Sequence, residues 1–115
     1  MSPDVNVPEV DLDTFAAAHR DGAYVLDVRE RFEYVTGHVP RAQLIPMAQV
    51  HARTHELPRD ERVYVICASG NRSHTAAGWL RDAGIDAVSV AGGTGGWAAQ
   101  ARPLVIGADA DESAA

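Results

Sequence analysis

The one cysteine of this 115-residue chain, Cys67, follows four apolar, strand-favouring residues, Val63-Tyr64-Val65-Ile66. A short polar run comes next, Ala68-Ser69-Gly70-Asn71-Arg72-Ser73, and from Ser73 to about Asp82 the pattern is helical. A buried strand that delivers a thiol to the start of a helix has a definite chemistry. The first backbone N–H groups of a helix lack intrahelical partners, and with the helix dipole they favour an anion. A thiol held there loses its proton more readily and becomes a nucleophilic thiolate. The competing reading is a buried, inert thiol, but the polar loop and the helix start favour the nucleophile. Gly70 is expected to shape the loop through a backbone angle that other residues disfavour. Arg72 has two readings, a fork for an anionic ligand or a salt bridge to a sheet-end carboxylate, and the first is preferred.

Other chemistry is excluded by residue type. All ten basic residues are arginine, so neither a Schiff base nor a phosphate-loop lysine is available. One cysteine allows no internal disulfide and no cysteine-rich zinc site. It also allows no resolving cysteine on the same chain, so a sulfur intermediate at Cys67 must pass to another molecule. The five histidines show no metal-ligand spacing, and neither a metal nor a cofactor is expected. A Cys–His dyad is conceivable with His38 or His74. His38 sits in a turn, where a structural hydrogen bond is preferred. His74 either tunes Cys67 or lies at the surface of the first helical turn.

The elements that must position these groups alternate in type. A short strand within 7–10 is interrupted by Pro8, and Asp11 caps a helix with Leu12, Phe15, Ala16 and His19 on one face. Gly22 ends that helix, and Tyr24–Val28 is a strand with Asp27 near its end. A short helix over 31–34, a strand over 42–45, a helix over 47–56 and the strand 63–67 follow. After the helix 73–82 comes a strand over 87–90, a flexible glycine-rich turn over 91–96, and a short helix over 97–101 in which Trp97 caps the core. Strands alternating with helices across short turns imply an α/β fold, a parallel sheet covered on both sides. Such sheets hold their ligands at the carboxyl ends of the strands. Strand order is not readable from spacing.

The net charge of −6 is carried by the ends. Seven of the sixteen acidic residues lie before residue 14 or after residue 102, leaving nine against ten arginines in the body. A broad basic face for nucleic acid is not indicated. No apolar run is long enough to span a membrane, the start lacks the features of a secretion signal, and a cytoplasmic monomer is expected. One domain over 7–106 accounts for the chain, with a flexible segment 1–6 and a disordered acidic tail 107–115.

Leu26-Asp27-Val28-Arg29, Glu33-Tyr34, Gly37-His38-Val39-Pro40, the Cys67–Ser73 loop and Gly92-Gly93 with Gly96-Trp97 stand in an order that resembles the single-domain rhodaneses. The resemblance implies a five-stranded parallel sheet with helices on both faces. It also implies a sulfurtransferase in which Cys67 takes the outer sulfur of thiosulfate or another sulfane donor, becomes a persulfide, and yields that sulfur to cyanide, a thiol or a protein cysteine. Amides of residues 68–73 would hold the anionic persulfide. Because transfer from thiosulfate needs no general acid, Asp27, Arg29 and Glu33 are read as loop support. The family often has glycine where this chain has Arg41, which either adds charge near the site or faces solvent, the second being preferred.

Two other readings compete. One is a sulfur-carrier or regulatory module that docks to a partner protein. The other is a phosphatase or arsenate reductase of related fold. Those enzymes carry one more residue between cysteine and arginine than the four found here, and a tetrahedral oxyanion needs that wider ring of amides.

Overall fold

The structure is a computed structural model and describes residues 7–110. The expectations for residues 1–6 and 111–115 lie outside the described residues. Five parallel strands, β1 (Glu9–Val10), β2 (Tyr24–Asp27), β3 (Gln43–Leu44), β4 (Val63–Ile66) and β5 (Ala87–Val90), form one sheet in the order β1-β5-β4-β2-β3. The helices are α1 (Leu12–Arg20), α2 (Arg31–Thr36), α3 (Asn71–Asp82) and α4 (Gly93–Ala99).

Period-two alternation divides the core between two faces. Leu26, Val63, Val65 and Cys67 pack with Ala76, Ala77 and Leu80 of α3. Val25, Ile66 and Val90 pack on the other face with Phe15 of α1, Tyr34 of α2 and Trp97 of α4. The chain steps from β2 outward to β3 and from β4 outward, in the opposite direction, to β5. Reversal of this kind opens a crevice at the carboxyl ends of β2 and β4, between helices that leave to opposite faces. Cys67 follows the central strand directly into that crevice.

Four local expectations change. The stretch 47–56 is not an α-helix but two 3-10 turns, Met47–Gln49 and His51–Glu56, kinked at Arg53 with φ −119°. Only Val50 and the following Leu57 are fully buried there, so no continuous apolar stripe holds an α-helix in place. Helix α3 begins at Asn71, two residues early, because Gly70 at φ +116° makes the turn that starts it. The glycine-rich stretch 91–96 is not a free turn, since α4 starts within it, at Gly93 rather than Trp97. The fold also runs past residue 106: Gly107 N–H donates to Val35 O at 2.9 Å, and the carbonyl of Asp109 accepts from His38 Nε2 at 2.8 Å. The described part of the acidic tail, through Ala110, is therefore packed against the α2 corner. Among the described residues no helix is long and apolar enough to cross a membrane.

Candidate active site

Strand periodicity sends the Cys67 side chain, like Val63 and Val65, toward α3. There Sγ accepts from Gly70 N–H at 3.1 Å and Ser73 N–H at 3.3 Å, and the Ser73 hydroxyl lies 3.5 Å away. That hydroxyl also reaches Gly70 O at 3.1 Å and Ser89 Oγ at 2.8 Å, which comes from the neighbouring strand β5. Ser89 escaped the sequence reading; its one signal was a hydroxyl inside an otherwise apolar strand. Cys67 is 1% exposed. Burial pushes its thiol up, but hydrogen bonds from the Ser73 hydroxyl and from the amides of Ser73, Gly70 and Ser69 outweigh burial and leave it below its ordinary value. The pH midpoint of iodoacetamide alkylation should therefore fall below that of a free thiol, and Ser73→Ala should move it upward. A wild-type midpoint at or above the free-thiol value would contradict the hydrogen-bond argument.

The loop is held from behind by α4. Thr94 N–H donates to Cys67 O at 2.8 Å and Gly95 N–H to Ala68 O at 3.0 Å. Such an approach needs glycine at Gly93, where a Cβ would stand 2.5 Å from Cys67 O. Around the rest of the loop, Ala68 is half-buried while Ser69 and Asn71 are exposed.

Arg72 does not offer a free fork. Its Nη1 and Nη2 donate to Glu33 Oε1 and Oε2 at 2.8 and 2.9 Å, an ion pair to a carboxylate of the kind its second reading describes. The partner is on α2 rather than at a strand end, for a simple reason: the sheet-end carboxylate, Asp27, is already taken. Arg29 closes on it with Nε 3.0 Å from Oδ1 and Nη2 2.9 Å from Oδ2, and Nη2 also donates to Gly37 O at 2.9 Å. Asp27 and Arg29 are both buried, and they tie the end of β2 to the turn after α2.

The Glu33 carboxyl is held at about 2, from an ordinary 4.5, chiefly by the hydrogen bonds from Arg72. A depressed acid stabilises the fold at pH above its unfolded value and loses that contribution as the carboxylate protonates. The stabilisation from Glu33 should thus be complete above pH 4.5 and decline toward pH 2. Thermal melts of the wild type and Glu33→Gln should converge over that window; a constant gap across it would refute the assignment.

The remaining candidates make contacts of their own. His38 is fully buried and stacked on Tyr34 at 3.6 Å, with Nδ1 3.0 Å from Tyr34 O, the structural role expected of it. His74 Nδ1 lies 3.7 Å from Glu9 Oε2 of β1. Trp97 caps the α1–α4 face, its Nε1 donating to Pro103 O at 2.7 Å. Arg41 adds no charge to the site. It precedes β3, at the opposite end of the parallel sheet from Cys67, and its guanidinium donates to His19 O. Its φ of +69° explains why glycine suits this position.

The model of the rhodanese-like domain family matches residues 11–100, and the chain belongs to that family. A sulfurtransferase of Allochromatium vinosum is 31% identical over 102 residues, covering 86% of this chain and 95% of that protein. YrkF of Bacillus subtilis, named as a sulfur carrier, is 35% identical over 85 residues, which are 72% of this chain but only 46% of YrkF. Among solved structures, a rhodanese-related protein from Thermoplasma volcanium matches with TM-score 0.81 and 32% identity, over 86% of this chain and 98% of that one.

Proposed function

We propose that this protein is a sulfurtransferase that carries sulfane sulfur as a Cys67 persulfide. The observation that carries the reading is the pair of amide donors converging on Sγ, Gly70 N–H at 3.1 Å and Ser73 N–H at 3.3 Å, with the Ser73 hydroxyl 3.5 Å away. They favour the thiolate, and one atom further out the same end of α3 favours the anionic persulfide. With thiosulfate as donor, the Cys67 thiolate attacks the outer sulfur, the S–S bond breaks, and sulfite leaves with the bonding pair. In the second half, cyanide, a small thiol or a protein cysteine attacks the terminal sulfur and the Cys67 thiolate is the leaving group. Asp27 and Arg29 brace the end of β2 against the turn after α2 and stay out of the chemistry.

Burial matters here. The sulfur of a cysteine that is 1% exposed is best reached end-on by a single terminal atom, which suits a sulfane sulfur. A tetrahedral phosphate or arsenate needs a wider ring than one whose amides already close on Sγ. The sulfurtransferase and sulfur-carrier relatives support the transfer reading, and the YrkF match favours a second reading in which the acceptor is a protein cysteine. The test is intact mass after incubation with thiosulfate or with cysteine persulfide. One added sulfur, removed by cyanide, is expected; no added sulfur from either donor would overturn the proposal. Turnover with cyanide, set against transfer to a protein thiol, separates the enzyme from the carrier.

A further inference from the structure

We propose that the Glu33–Arg72 clamp sets donor specificity, favouring an uncharged thiol persulfide, R–S–SH, over the thiosulfate dianion; the inference rests on the Cys67 persulfide reading above. Thiosulfate can present its outer sulfur to Cys67 only by leaving a sulfonate at the mouth of the loop. That sulfonate needs a cation, because it approaches a thiolate of like charge. Arg72 is the only cationic side chain in the loop, and Glu33 occupies both arms of its fork at 2.8 and 2.9 Å.

The position of the clamp strengthens the argument. Glu33 comes from α2 and Arg72 from α3, helices that cover opposite faces of the sheet. Their ion pair therefore spans the crevice between β2 and β4, where an anion would otherwise enter. Arg29, at the same strand end, is closed on Asp27 and Gly37 O. A second carboxylate, Glu30, stands at the start of α2, and its backbone N–H donates to Glu33 Oε1 at 3.0 Å. The Gly70 and Ser73 amides are directed at Sγ itself.

An uncharged persulfide makes no demand on Arg72. The Cys67 thiolate attacks the terminal sulfur of R–S–SH, the S–S bond breaks, and the departing RS− takes the persulfide proton to leave as RSH. Cys67–S–S− remains, so charge and atoms balance without a further reactant.

Single-turnover sulfur loading, followed by intact mass, tests this with thiosulfate and with cysteine persulfide, a small donor that is attacked in its protonated R–S–SH form. The wild type should load faster from cysteine persulfide. In Glu33→Gln the ratio of thiosulfate to persulfide rate constants should rise on the order of tenfold, the scale of releasing one guanidinium at a half-exposed site. The gain should vanish in Glu33→Gln/Arg72→Gln. A clamp that only braces the loop would slow both donors and leave the ratio where it was, which overturns the proposal. Faster wild-type loading from thiosulfate overturns it without any variant and leaves the persulfide reading intact. Loading from neither donor removes the persulfide reading itself, and this inference with it.

Discussion

Cys67→Ser should remain folded and take up no sulfur. The substitution leaves the donors in place, since a serine oxygen can accept from Gly70 and Ser73 as the sulfur does, and it introduces no volume into the core. What it removes is the thiolate. A serine hydroxyl at the same position stays protonated, and the described hydrogen-bond partners of the sulfur, Gly70 and Ser73, include no base to take its proton. Because the chain has no second cysteine, no other thiol can substitute. Loss of a nucleophile costs several orders of magnitude, on the order of 10⁴ or more where the rest of the site is retained. Intact mass and thiocyanate formation measure the loss, and a thermal melt near that of the wild type shows that the fold survived. Sulfur loading of the variant at more than a trace would sink the mechanism.

Gly93→Ala should damage both stability and transfer, although Gly93 touches no reacting atom. An added Cβ would stand 2.5 Å from Cys67 O, 2.6 Å from Ala68 O and 2.7 Å from Ala68 C, all backbone. No side chain can swing aside to make room. The residue also holds φ +60°, a left-handed conformation that costs a non-glycine about 1–2 kcal/mol. Overpacking adds about 1–3 kcal/mol, a large share of the stability of a small domain. Relief requires α4 to withdraw, which releases the bonds from Thr94 and Gly95 to the loop carbonyls and lets Cys67 drift. A shift of about 1 Å at a reacting group costs on the order of 10²-fold. Gly22→Ala is the control: its φ is +89° but nothing lies within 4 Å of a Cβ there, so it should show the backbone strain alone. Equal melting temperatures and equal loading rates in the two variants would refute the close-packing argument. Gly96 sharpens the contrast, because its nearest neighbour at 2.6 Å is the movable tip of the Leu12 side chain.

What the sequence alone determined was local. The apolar run into Cys67, the polar loop and the helix after it identify a thiol at a helix start, because strand alternation and orphan amides are properties of adjacent residues. The strand-and-helix alternation called for a parallel sheet for the same reason, and its five strands came with the family resemblance. Only the tertiary structure decided what depends on separated residues meeting. Strand order put β4 at the centre and opened the crevice beside it. Arg72, read as an open fork, met Glu33 from 39 residues away, and it did so because Arg29 had claimed Asp27. Ser89 reached Ser73 across the sheet. The glycines at 92–96, which by type alone signal freedom, let α4 pack its backbone directly against the loop, with Gly95 N–H donating to Ala68 O at 3.0 Å. A glycine records only that a side chain is missing, and whether that gap becomes flexibility or tight packing is set by what the fold brings against it.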